Sequence, residues 1–365
     1  MLSHRLATVL LIAFCVSAFA NPVSIVSGEK LEAFQPQLSI APSGTVHAVF
    51  GVDDAIYHAR SSDGRTFSQP VKVGQLEKLA LKMRRGPRVV STDSVVTITA
   101  ISHASGELRG WTSTDDGSTW KSAGALNSAP KSAREGLHAM AGDGKGLVAL
   151  AWLDLRNGGM ELWSRVSPDG GLTWAPETRV YRSPDGHICE CCHPSITIGP
   201  KGEIAAMWRN WLSGSRDMWA TVSTDAGRTF GESQKLGTGT WKLAGCPMDG
   251  GGIAFDPEST LTSVWRREGT VYVAGLSGAE SLLSATASQP VVAWCGDDRI
   301  IAYESKGQIM VQTDDGAPRS VGNGRSPAIA SNAGGRCFLA WEAVDGRLLI
   351  EPVRRCVPGS AFHSR

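Results

Sequence analysis

The segment STDDGSTW, residues 113–120, returns as SPDGGLTW at 167–174 and as STDAGRTF at 223–230. All three fit Ser-x-Asp-x-Gly-x-Thr followed by Trp or Phe. A fourth copy, RSSDGRTF at 60–67, keeps the glycine, threonine and aromatic, and reads Ser62 where the aspartate is expected. The closing aromatics Phe67, Trp120, Trp174 and Phe230 lie 53, 54 and 56 residues apart. A period of this size marks stacked supersecondary units. In each box the aspartate can accept backbone N–H groups across a tight turn. The glycine supplies a positive φ where the chain reverses, and the aromatic buries its ring beneath the turn. These residues are expected to build a corner between two outer strands, away from any chemistry.

The sequence around each box agrees. PQLSIAP, VHAVFGV and AIYHARSS precede the first copy; LVALAWLD and MELWSRVS precede the third; EIAAMWRNW and DMWATVS precede the fourth. Each is short, rich in β-branched and aromatic residues, and broken by Gly, Pro, Asp or Asn, the mark of a strand. No segment of helical period follows the N-terminal run. Four strands per unit, repeated radially, make a β-propeller blade.

Starts of innermost strands fall near Pro36, Pro87, His138, Pro194, Pro247, Pro290 and Pro327. The expectation is therefore an all-β propeller of seven four-stranded blades, with six as the alternative. The last unit supplies only three strands, and the N-terminal NPVSIVSG supplies the fourth, which closes the ring and removes open sheet edges.

These boxes resemble the Asp-boxes, or BNR repeats, of exported sialidase-like β-propellers. Residues 1–20 fit an export signal: a charged start at His4 and Arg5, a short apolar run, and Ala18-Phe19-Ala20 at its end. Residues 21–355 are read as one propeller domain and 356–365 as a tail. A periplasmic or secreted location follows. Without residues 1–20 the formal charge is zero, which speaks against a nucleic-acid groove or a polybasic membrane patch. No later segment is apolar enough for a membrane-spanning helix.

The cysteines carry the second signal. HICECCHPS, residues 187–195, places Cys189, Cys191 and Cys192 just before the innermost strand of blade four, with Cys246 just before that of blade five. A branch of the sialidase-like propellers with Cys-Glu-Cys-Cys at one such position and Cys-Pro at the next is similar to this pattern. Two readings stand. The four thiols, with His193, form a metal site at the rim of the central channel, copper first and zinc second, because soft sulfur ligands select these ions. Alternatively they are disulfide staples of an exported protein. His187, Met248 and Met207 are additional donors for the first reading, whose partner is a metal ion or small ligand. Cys337 and Cys356 are candidates for a bridge pinning the C-terminus.

The sialidase resemblance implies an arginine triad, an Arg-Ile-Pro motif, and a tyrosine nucleophile beside a glutamate. Here Gln35-Pro36 stands in place of Arg-Ile-Pro. Tyr303 and Glu304 are adjacent, so they point to opposite faces of a strand. Arg84, Arg85, Arg134, Arg325 and the Arg216 of RDMW read as loop cations. No catalytic residue is assigned, and the leading reading is a non-enzymatic metal-binding protein for sequestration or delivery. A glycan-binding or glycoside-cleaving relative of the sialidases is the alternative.

Overall fold

The computed structural model describes residues 21–26, 32–314 and 316–354; the export signal and Cys356 lie outside them. Its strands form five four-stranded antiparallel sheets and one seven-stranded sheet. The large sheet holds two units. Arg319–Asn323 pairs with Gln308–Val311 as the outer strand of one. Gly324–Ser331, the continuation of the same strand, pairs with Cys337–Ala343 as the innermost strand of the next. The chain thus builds seven four-stranded blades. The innermost strands adjoin one another in sequence order, and Arg319–Ser331 returns to Phe34–Ile40. Val23–Ser24 pairs with Leu349–Ile350 and completes blade seven, so the N-terminus closes the ring.

Burial follows the radius. Second strands such as Val148–Asp154 and Ile204–Arg209 are buried at every residue, because both faces press on neighbouring blades. Outer strands such as Lys121–Ala125 are largely exposed. The apolar core is divided among the blade junctions. Among the described residues seven clusters lie at the junctions, one at each from blades seven and one round to six and seven. Trp152, Trp208, Trp265 and Trp341 occupy matching places in second strands and are at most 2% exposed.

The boxes join third to fourth strands, as expected, and share one hydrogen-bond pattern. In the second, Gly117 N–H donates to Ser113 Oγ (2.8 Å), Ser113 Oγ donates to Asp115 Oδ1 (2.7 Å), and Thr119 N–H donates to the same carboxylate oxygen (2.8 Å). The boxes at 167–173 and 223–229 repeat it. The first copy corrects the sequence reading. It is one residue short rather than missing its aspartate: Ser61 donates to Asp63 Oδ1, which also accepts from Arg65 and Thr66 N–H, all at 2.8 Å. The N–H groups of Thr66 and Arg65 hold the Asp63 carboxyl down at about 2.

A disulfide joins Cys295 of blade six to Cys337 of blade seven. Cys337 is therefore not the partner of Cys356. The staple fastens a junction between two blades, where both cysteines are buried in a shared apolar cluster.

Candidate metal centre

Residues 182–194 cross from the outer strand of blade three, Thr178–Tyr181, to the innermost strand of blade four, Ser195–Ile198. Ile188 anchors the crossing. It is fully buried in the cluster between these blades, and its N–H donates to Met160 O (2.9 Å). The next N–H, of Cys189, donates to Arg209 O (3.0 Å). A turn then exposes Glu190 and directs three thiols inward.

Cys189 Sγ lies 3.5 Å from both Cys191 Sγ and Cys192 Sγ. All three are buried, and their sulfurs lie within 4.8 Å of one another. Two sulfurs bound to one ion at about 2.3 Å sit about 3.8–4.0 Å apart in tetrahedral or trigonal geometry. The triad therefore needs to open by only a few tenths of an ångström to hold an ion.

The structure brings together three of the four cysteines expected here. Cys246 is exposed and stands outside the group. The chain turns inward only at Pro247, which is buried. Met248, at φ 56°, then packs its side chain on the three cysteines. A thioether thus takes the place expected of the fourth thiol. Met207 is buried instead in the core between blades four and five.

His193 is also displaced from the expected role. Its Nδ1 accepts from Gly250 N–H (3.2 Å), and its Nε2 meets Gly251 O at 3.0 Å. Both ring nitrogens are used in tying blade four to blade five. Burial, reinforced by Arg84 and Arg88, pulls the imidazole down to about 3, so it stays neutral. A Cβ on Gly250 would lie 1.8 Å from His193 O, which only glycine avoids. His187 is exposed, with its ring 5.5 Å from that of Trp211.

Three arginines surround the sulfurs. Arg216 Nη1 donates to Cys189 Sγ at 2.9 Å, and its guanidinium stacks 4.2 Å from the centre of the Trp211 ring. Arg209 is fully buried and donates to the carbonyls of Asp249, Arg216 and Arg266; its charge also acts on Cys192. Arg85 acts on Cys191, and its Nη1 has no hydrogen-bond partner among the described residues. None of the three makes an ion pair with a carboxylate among the described residues. The Cys189 thiol is held down to about 3 by the S–H donors of Cys191 and Cys192, the Cys191 backbone N–H and Arg216. Donating to Cys189 pushes the Cys191 thiol up, and burial does the same to Cys192. One negative charge therefore rests on Cys189 and is shared with two neutral thiols.

The reading of Arg216 as a solvated loop cation is corrected by its burial against Trp211 and Cys189. In the sequence it stands 27 residues from Cys189, and only the pairing of neighbouring strands in blade four brings the two together. The parts implied by the sialidase resemblance do not assemble. Tyr303 is buried in the core between blades five and six. Glu304 accepts Ser326 N–H at 2.7 Å. Arg134 is exposed, and Arg325 pairs with Glu342 at 2.7 Å.

Residues 91–242 match the BNR repeat-like domain. No protein of curated function matches this sequence. Among solved structures the chain is similar to an α-L-arabinofuranosidase of Fusarium graminearum, at 11% identity, covering 92% of this chain and 98% of that one, with a TM-score of 0.55. It is similar to the virginiamycin B lyase of Staphylococcus aureus at 11% identity, 91% and 98% coverage and a TM-score of 0.54. A protein of unknown function from Dyadobacter fermentans aligns at 15% identity over 92% and 98%, with a TM-score of 0.50. At these identities the likeness concerns the fold alone. The chain is a β-propeller that carries BNR-type repeats.

Proposed function

We propose that this propeller is an exported, non-enzymatic protein that binds a soft metal ion through Cys189, Cys191 and Cys192 and sequesters or delivers it in the periplasm or outside the cell. The observation that supports this reading is the convergence of three buried sulfurs within 4.8 Å of one another on a rigid ring. A site fixed in advance loses little conformational freedom when the ion arrives. The arginines add to the argument: Arg216, Arg209 and Arg85 are buried beside the sulfurs with no carboxylate at ion-pair distance among the described residues, and thiolates holding a metal place negative charge among them.

Copper(I) ranks ahead of zinc. A closed zinc site is almost always four-coordinate with sulfur, nitrogen or carboxylate ligands. Here Cys246 stands apart, His193 has spent both nitrogens, and the group against the sulfurs is the thioether of Met248. Sulfur-only donor sets of this kind suit copper(I).

The test is elemental analysis of protein purified without chelators, alongside copper(I) and zinc(II) titrations of the metal-free protein. About one copper(I) per chain is expected, lost in Cys191→Ser/Cys192→Ser with the fold intact by circular dichroism. The second reading, that the cysteines are staples, draws on the 3.5 Å approach of Cys189 to two other sulfurs. A disulfide from Cys189 to Cys191 or Cys192, mapped by mass spectrometry in protein that takes up no metal, would establish it and end the metal proposal.

A further inference from the structure

The geometry points to a second binding site: the upper part of the central channel takes a small tetrahedral oxyanion, held by Arg88 and Arg84. The channel here has a volume of about 150 Å³ and is walled by the innermost strands of all seven blades. Arg84 and Arg88 are both buried and both line it, with Gln37 and Ser195 as further polar groups, and no Asp or Glu lines it.

Arg88 lacks a counter-charge. Its donors go to the carbonyls of Gly86, Pro87 and Arg84 in its own loop. The charge acting on it is that of Arg84, of the same sign; burial first and this repulsion second pull it down to about 9. Arg84 donates to Pro327 O at 2.7 Å and has Asp249, Glu304 and Glu342 as counter-charges, but none of these carboxylates lines the cavity. They accept the backbone N–H groups of Gln289, Ser326 and Gln35, and Glu342 also pairs with Arg325. A buried charge left uncompensated, as on Arg88, is costly, so the cavity favours an anion beside it.

The backbone is bent to deliver these two side chains. Lys82, Met83 and Arg84 are consecutive non-glycine residues at φ 66°, 52° and 64°, and Gly86 follows at 111°. Such conformations are held only where the surroundings over-determine them, and they gather at ligand clamps. A cavity of about 150 Å³ has room for a five-heavy-atom ion such as sulfate or phosphate together with water.

The experiment is calorimetric titration of the mature protein with sodium sulfate and with sodium phosphate at constant ionic strength, using sodium chloride as the control. One saturable site per chain, at about 1 mM or tighter, is expected for at least one oxyanion and not for chloride. Arg88→Gln should weaken it about ten- to a hundred-fold. Ala139→Leu, which keeps both guanidinium groups and fills the channel, should weaken it as much; this variant also carries the test if Arg88→Gln misfolds. Cys191→Ser/Cys192→Ser should leave the affinity unchanged, separating this site from the proposed metal centre. Unsaturable heats equal to those of chloride, or unaltered affinity in Ala139→Leu, would overturn the assignment.

Discussion

Lowering the pH from 7 to 5 should cost this protein about 4 kcal/mol of stability through one pair of histidines. His47 and His58 belong to paired strands of blade one, and each is at most 1% exposed. His47 Nδ1 and His58 Nε2 are hydrogen-bonded at 3.0 Å, which requires at least one of the two facing nitrogens to be unprotonated. The groups around them come from blade one and from the box of blade two. Asp116 lies 3.5 Å from His47 Nε2 and pairs with Arg60, and the Trp120 ring meets His58 edge-on at 5.2 Å. Burial pulls His47 down to about 4 and His58 to about 3. Asp116 raises His47 only in part, because its side chain is 50% exposed and its charge is screened.

The sign follows from linkage. Both folded values lie below the unfolded value of about 6.5, so the unfolded chain binds more protons and stability is lost as the pH is lowered. Each histidine contributes about 1.4 kcal/mol per pH unit between about 6.5 and its folded value. Both remain neutral in the folded chain at pH 5, so each loses about 2 kcal/mol over that interval. The assay is urea unfolding at pH 7 and 5, for wild type and for His47→Gln/His58→Gln. The difference in unfolding free energy between the two pH values should be about 4 kcal/mol smaller in the double variant. Equal pH dependence in the two proteins would refute the reasoning, whatever the variant costs at pH 7.

Gly117→Ala should destabilise the chain by about 2–4 kcal/mol in the same assay. Its φ is 82°, and a Cβ there would stand 2.2 Å from His58 Cε1. Cys295→Ser/Cys337→Ser opens a disulfide of sequence separation 42 and should cost about 4 kcal/mol on chain-entropy grounds, read as a lower denaturant midpoint under non-reducing conditions. Met248→Leu keeps the apolar contact with the cysteines and removes the thioether; competition against a chromogenic chelator should show copper(I) held about tenfold more weakly, with unfolding unchanged.

The ring was legible in the sequence because the boxes and the X-Pro pairs carry backbone constraints that survive in a single chain. Gln35-Pro36, Gln289-Pro290 and Ser326-Pro327 each put a left-handed residue near the start of an innermost strand, with φ of 56°, 52° and 57°, where the pairing register shifts. The prolines therefore marked real positions. The first box was misread because a box can lose one residue between aspartate and glycine and keep its hydrogen bonds. The site was legible only where neighbours along the chain decide it. Cys189, Cys191 and Cys192 share one turn, so their meeting was readable. Whether Cys246 or Met248 faces them depends on one backbone reversal at Met248 that no pattern announces. The arginines were hidden for a different reason: a guanidinium in a loop motif looks the same in sequence whether it points to water or to a sulfur.

The division of the core into seven junction clusters, rather than one centre, bears on how the molecule comes apart. A blade taken alone has two oily faces and no partner for either. Excising one blade, or expressing only the span 91–242 that matches the repeat domain, strips a greasy flank at each cut. The circle should consequently melt as a whole, with fragments inclined to stick to one another instead of persisting as smaller folded pieces.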